Sequence, residues 1–355
     1  MKRRTILATT FVGIAAITGA CSSSDAPKAP PRTMAIAVIP RQIPPPTASD
    51  FAAAYQLSYD AGSRGQVVTL TWKDLEPDSG ALDLSPLISQ VNAASSFPTI
   101  FVGIQAINTV AKEVPADLAD TPFDDATTIA RFHVLIDRIA GALPGRITYL
   151  SIGNEVDNYL ETTSQWDSYQ RFYDDAAAYA HEKMPGVRVG VTGEFGGVTG
   201  PLRAKMAALN VHSDIVVITY YALRSDLHVE DPSIARASYA AMLDAAGGKP
   251  VVVQEIGYPA SPLLGSSDSL QAAFFTDAIA EWADIDASRM PFVSLFLLHD
   301  FTPEQCDAFG QYYGLPDNAE FEAYLCTLGL RHADGTPRPA WQAVVSAAAA
   351  AGLTQ

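Results

Sequence analysis

The chain has 355 residues, 39 of them acidic and 23 basic for a formal charge of −16, and 48% of its side chains are hydrophobic. That is enough apolar material for a sizeable core and too much for a disordered chain. The negative balance excludes nucleic acid as a partner, because binding a polyanion needs Lys and Arg to displace its counterions, and it disfavours phosphate-rich substrates for the same reason.

In chain order, residues 1–20 read as an export signal. Lys2, Arg3 and Arg4 precede a mostly apolar run, Ile6 to Ile17, and Thr18, Gly19 and Ala20 are small residues leading to Cys21. The run is too short for a comfortable membrane span. Cys21 after small residues, followed by Ser22, Ser23, Ser24 and Asp25, resembles a bacterial lipobox, with Thr18 where the usual leucine stands. The resemblance implies that Cys21 carries lipid as the mature N-terminus. The membrane is then a partner through that anchor alone, and the protein faces outside the cytoplasm at the cell envelope. An ordinary secretory signal with an incidental Cys21 is the other reading. Loss of the signal leaves 20 basic against 39 acidic side chains. Residues 21–33, with Pro27, Pro30 and Pro31, then form a flexible tether.

From Met34 onward short apolar runs alternate with longer amphipathic ones. The runs are Ala35 to Ile39, Val67 to Thr71, Thr99 to Ile104, Ile147 to Ile152, Val187 to Thr192, Ile215 to Tyr220, Pro250 to Gln254 and Phe292 to Leu298. Each is short, β-branched and nearly continuous, as in parallel strands covered on both faces. Helical patterns lie between and after them: Asp50 to Ala61, Asp124 to Ala142, Gln165 to Lys183, Pro232 to Ala246, Leu270 to Ala283 and Pro339 to Ala350. Eight strands with helical crossovers predict an α/β fold, a single-domain (β/α)8 TIM barrel over residues 34–355. An open doubly wound sheet is the alternative, but no glycine-rich phosphate turn follows the first strand.

Chemistry in such a barrel sits at the C-terminal ends of the strands. The fourth run ends Ser151-Ile152-Gly153-Asn154-Glu155 and the seventh Gln254-Glu255-Ile256-Gly257-Tyr258. Two carboxylates at strand ends on opposite sides of one mouth need compensation for their desolvation, and this marks them as the candidate site. Asn154-Glu155 with Glu255 resembles glycoside hydrolase clan A, the retaining β-type glycosidases on this barrel. The motif Trp72-Lys73-Asp74-Leu75-Glu76-Pro77, the pair Tyr220-Tyr221 and the terminal Asp334 to Trp341 are similar to clan patterns too. Gly257-Tyr258-Pro259 and Ile152 to Val156 are most similar to the family 17 β-1,3-glucanases and the family 53 β-1,4-galactanases.

The resemblance implies Glu155 as general acid/base, Glu255 as nucleophile, Asn154 as donor to the sugar 2-hydroxyl, and Tyr220 or Tyr221 as the hydrogen-bond partner of Glu255. It implies an endo-acting enzyme on a neutral β-glycan, with exo-acting glycosidases and arabinosidases of the clan as the alternative. A carbohydrate is then the partner, the protein works as a monomer, and neither cofactor nor metal is needed, since two carboxyl groups carry both roles. A lipid-tethered sugar-binding or cell-wall protein without turnover is the reading from a different class.

Departures from the clan mark further candidates. Where the clan usually has a tryptophan at the end of strand eight, Leu298-His299-Asp300-Phe301 stands. His299 and Asp300 are either sugar contacts or an anchor for the following loop. Lys73 takes the place of an arginine that contacts the nucleophile in many clan families, as a point charge without the planar fork. Glu194 after strand five, and Trp72 and Tyr258 as stacking platforms, complete the set. Cys306 and Cys326 form an even pair in an exported chain and read as a disulfide, with a loop closure worth about 3 kcal/mol; two buried thiols are the other reading.

Overall fold

The computed structural model describes residues 32–354, so the signal and the lipidation expected at Cys21 lie outside the described residues. The fold begins earlier than the tether reading implies, since Arg32 lies over the Trp282 ring at 5.4 Å and Thr33 opens the first strand. All eight sequence-predicted strands are present: β1 Thr33–Ile36, β2 Gly65–Thr71, β3 Thr99–Asn108, β4 Tyr149–Asn154, β5 in two halves Arg188–Gly190 and Thr192–Glu194, β6 Val216–Tyr221, β7 Val251–Gly257 and β8 Phe292–Leu295. A two-residue strand, Ala111–Lys112, folds back antiparallel on the end of β3.

Each numbered strand pairs in parallel with its sequence neighbour, and β1 pairs with β8. The ring closes at the divided strand, whose first half pairs with β4 and whose second half pairs with β6. This is a single-domain (β/α)8 barrel.

The helices Ala48–Asp60, Ala126–Ala142, Trp166–Lys183, Ala235–Ala245, Asp268–Asp284 and Pro339–Ala350 stand close to their predicted positions. The short crossover helices Ser85–Ala93 and Arg203–Leu209 have weaker sequence patterns, as does the pair after β8, Pro303–Tyr312 and Ala319–Leu325. Inside the barrel, Ala35, Phe101, Tyr149, Val217, Val252 and Phe292 form one buried layer, with Phe101 and Tyr149 packed 6.2 and 5.6 Å from Phe292. This plug shuts the bottom and leaves the C-terminal mouth for polar groups.

Candidate active site

Side chains alternate across a strand, so Val217 in the inner layer places Thr219 and Tyr221 inward and Tyr220 outward. The same rule would turn Gln254 inward from Val252 and point Glu255 at the helices. A bulge reverses this. The register runs Ile218↔Val253 and then Thr219↔Glu255 against β6, and Val293↔Val253 and then Leu295↔Ile256 against β8, so β7 carries one extra residue. One such residue flips the facing of everything after it, and Glu255 enters the mouth while Ile256 joins the outer core.

Glu155 arrives by another local device. Gly153 has φ +89, and a Cβ there would meet the Tyr169 hydroxyl at 2.3 Å and Val156 at 2.4 Å, so only glycine fits. Tyr169 donates to the Ile152 carbonyl at 2.9 Å and holds this turn from the helix behind it. Glu155 itself has φ +45, a strained conformation for a side chain with a Cβ, of the kind that clusters at functional sites.

Both glutamates open on one cavity of about 700 Å³ at the barrel mouth. Glu155 accepts hydrogen bonds from Thr109 on Oε2 and Thr219 on Oε1, each 2.7 Å long. Glu255 accepts from the Tyr221 hydroxyl on Oε2 and from Gln254 Nε2 at 2.9 Å on Oε1. Burial pushes the Glu155 carboxyl above its usual range, and the charge of Glu194 adds to this against the two threonine bonds. Glu255 is pushed up to about 7 by burial first and then by the charge of Glu155, against the Tyr221 and Gln254 bonds. Two like charges in a dry site cannot both form readily, so the pair holds one proton near neutrality.

The sequence candidates divide sharply in space. Asn154, Glu155, Glu194, Tyr221 and Glu255 line the cavity. Asn154 Nδ2 donates to Asn108 Oδ1 at 3.1 Å, leaving Asn154 Oδ1 buried without a hydrogen-bond partner. Glu194 accepts from Asn158 at 3.3 Å. Of the two tyrosines, Tyr221 meets Glu255, while Tyr220 shares a 2.7 Å hydrogen bond with Ser238 in the outer shell and is pushed up to about 12 by burial.

Of the remaining candidates, Trp72, Tyr258 and Lys73 are corrected by the structure, and His299 and Asp300 take the second of their two readings. Trp72 is 0% exposed, packed 4.9 Å from Phe132 with its Nε1 donating to Glu76, so it is core and not a sugar platform. Tyr258 is equally buried, stacked 4.7 Å from Phe274 with its hydroxyl on the Glu230 carbonyl. Lys73 pairs with Glu113 and does not serve Glu255. His299 shares a 2.7 Å hydrogen bond with the Ile39 carbonyl and receives Arg331 on its other ring nitrogen. Asp300 accepts from the Gly329 amide at 2.7 Å and from Arg338 at 2.6 Å. Both anchor the chain after β8. Strand eight pairs only as far as Leu295, so the residue it presents to the mouth is Phe296, edge-on to Tyr221 at 6.0 Å. Trp72→Ala is therefore expected to lower unfolding stability by about 3–5 kcal/mol, with KM unchanged in the folded fraction; a raised KM at unchanged stability would restore the platform reading.

Several residues escaped the sequence reading. Thr109 and Asn108 lie beyond Ile104, where the apolar run ends although the strand continues. Thr219 is legible from strand alternation alone. Asp157, buried beside the Glu194 amide that it accepts from at 3.0 Å, is pushed up to about 7 by burial and by the charges of Glu194 and Glu155. Tyr313 and Tyr324 come from the segment after β8, where only the cysteines marked an ordered region. Cys306 and Cys326 are bridged, with Cα atoms 6.0 Å apart.

No family model matches the chain, and no curated protein does. Solved structures are similar over most of its length. An exo-β-1,4-mannosidase from Opitutaceae bacterium strain TAV5 superposes with TM-score 0.70 at 16% identity, over 91% of this chain and 60% of its own, so the present chain spans less than two thirds of that relative. GH5_18 from Streptomyces cattleya, solved with GlcNAc, gives 0.68 at 16% identity over 91% and 81%. A family 39 glycoside hydrolase from Bacteroides cellulosilyticus WH2 gives 0.61 at 17% identity over 90% and 64%. What the chain shares with all three is the barrel fold.

Proposed function

We propose that the protein is a retaining β-glycosidase of the clan A type, with Glu255 as nucleophile and Glu155 as general acid/base. The observation that carries this is the facing of two half-buried carboxyl groups, one from β4 and one from β7, into a single cavity with separate hydrogen-bond supports. Retaining hydrolysis needs two carboxyls about 5 to 5.5 Å apart, one ionised to attack the anomeric carbon and one protonated to deliver a proton to the leaving oxygen. We assign the pair's proton to Glu155, whose carboxyl is raised by burial and by the charge of Glu194. The Tyr221 hydroxyl favours the ionised form of Glu255 and turns it toward the sugar. Once Glu255 is consumed in the glycosyl-enzyme, the repulsion that kept Glu155 protonated is gone, and Glu155 becomes the base that activates water.

Asn154 lines the cavity and spends one Nδ2 hydrogen on Asn108, which leaves the second as the donor to a sugar hydroxyl. The acidic mouth favours a neutral glycan. The motif resemblance to family 17 and family 53 enzymes, together with the mannosidase among the structural neighbours, puts β-mannosides beside β-glucosides and β-galactosides as first substrates to try. Incubation with dinitrophenyl 2-deoxy-2-fluoro-β-mannoside, -glucoside and -galactoside, followed by peptide mass mapping, is expected to place a covalent sugar on Glu255. Labelling of another residue overturns the assignment; no label together with no release from any aryl β-glycoside overturns the enzyme.

A further inference from the structure

The segment between β8 and the last helix does more than connect them. Its helices Pro303–Tyr312 and Ala319–Leu325 are clasped to each other by the Cys306–Cys326 bridge. From there it reaches around half of the mouth. Cys306, Phe321 and Leu325 share an apolar cluster with Ala37 and Ile39 at the exit of β1 and with Leu227 in the loop after β6. Gln305 donates to Gln42, also after β1, at 3.2 Å. On the far side the Tyr312 hydroxyl meets the Asn108 carbonyl at 3.0 Å and Glu113 Oε1 at 2.8 Å, and Glu113 pairs in turn with Lys73 after β2.

This bracing runs from the loop after β6 past β8 and β1 to the exits of β2 and β3. The rest of the rim is different: Asn158 after β4, and Glu194, Phe195 and Gly196 at the end of β5, line the cavity without such cover. The two glutamates stand differently to this division. Glu255 lies under the roof, since its partner Tyr221 packs edge-on to Tyr324 at 5.2 Å and to Phe296. Glu155 stands at the roof's edge, within reach of Tyr313 and Tyr324 on one side and of Glu194 on the other.

In a double displacement the sugar under attack lies against the nucleophile, and the leaving group departs past the acid. The closed half is therefore the glycone side, and the open half receives the rest of the substrate. We propose, resting on the glycosidase reading above, that the clasped segment 303–326 shuts the non-reducing end of the site, so that the protein removes terminal units from β-linked chains and does not cut within them. This departs from the open-groove, endo-acting expectation of the sequence. A cavity of about 700 Å³ is the size of a small-molecule pocket. The aromatic residues of the segment that line the cavity, Phe309, Tyr313, Phe321 and Tyr324, give its covered side an apolar wall against which a sugar ring can lie.

The test follows reducing-end-labelled β-1,4-mannopentaose, cellopentaose and β-1,4-galactopentaose through early conversion. The expected pattern is a labelled ladder shortening by one constant unit, with terminal cleavage exceeding internal cleavage by roughly tenfold or more. Labelled fragments of mixed length from the first time points would overturn the proposal while leaving the glycosidase intact. No cleavage of any oligosaccharide or aryl β-glycoside would instead remove the glycosidase reading itself. A variant combining Tyr312→Phe, Cys306→Ser and Cys326→Ser loosens the roof without touching either glutamate. It is expected to gain internal cuts while keeping aryl β-glycoside hydrolysis, and strictly terminal release by the folded variant would take the closing role away from this segment. Should it fail to fold, the wild-type ladder and the wild type under mild reductant decide the matter.

Discussion

Glu255→Gln is expected to lower turnover of every β-glycoside substrate by about 10⁴-fold or more, the scale of losing the nucleophile from a catalytic unit. Ligand binding should persist, because Gln has nearly the same shape and can still meet Tyr221. The same variant should be more stable than the wild type at high pH. In the folded protein burial and mutual repulsion raise the Glu155–Glu255 pair, the Glu255 carboxyl from 4.5 to about 7, so between these values the pair binds more protons in the native state than in the unfolded chain. Stability then falls as pH rises across that window, by up to about 3 kcal/mol. Gln carries no charge to desolvate, so thermal unfolding should show the variant ahead of the wild type at pH 8 and level with it at pH 4.5. Activity within roughly tenfold of wild type would remove Glu255 from the nucleophile role, and a sugar-binding protein without turnover would show binding unchanged in both forms and hydrolysis in neither. Equal melting temperatures at both pH values would remove the buried-charge account.

Glu155→Ala separates the two chemical steps. Glycosides with poor leaving groups need proton delivery and should lose about 10²–10⁴-fold in kcat/KM, the usual worth of general acid catalysis. Dinitrophenyl glycosides leave without a proton, so their first step should survive and a glycosyl-enzyme should accumulate, visible as a burst of dinitrophenol. Azide, a nucleophile that needs no base, should then restore turnover and give a β-glycosyl azide. The alkaline limb of the wild-type pH profile should also vanish, because it reports loss of the Glu155 proton. Equal losses for good and poor leaving groups with an unchanged pH profile would assign Glu155 to structure alone.

These expectations rest on features of very different legibility. The eight strands are readable because a strand buried on both faces must be a short β-branched run wherever it occurs, a local property of composition. Asn154-Glu155 and Glu255 stand out because carboxylates following such runs carry a desolvation cost that a solvated loop would not. Tyr221 could have been chosen over Tyr220 by alternation from Val217. Trp72 and Tyr258 misled because a position near a strand end does not reveal which way the ring turns; both rings turn into the helical layer, where they pack on Phe132 and Phe274. The two readings of the His299-Asp300 pair were separated only by register, since pairing of β8 stops at Leu295 and Phe296 takes the place at the mouth.

What the sequence by itself determined is the barrel, its strand positions and the two carboxylates, all of which are written in short-range patterns of polarity and branching. What only the tertiary structure decided is which way those groups face and what encloses them. The extra residue in β7 that turns Glu255 inward is defined by pairing with β6 and β8, more than thirty residues away on either side. The roof over the site depends on Tyr312 meeting Asn108 and Glu113 from about two hundred residues further along the chain. Contacts of that separation leave no periodic trace, because they are selected by the closing of the barrel and not by the neighbours of each residue in sequence.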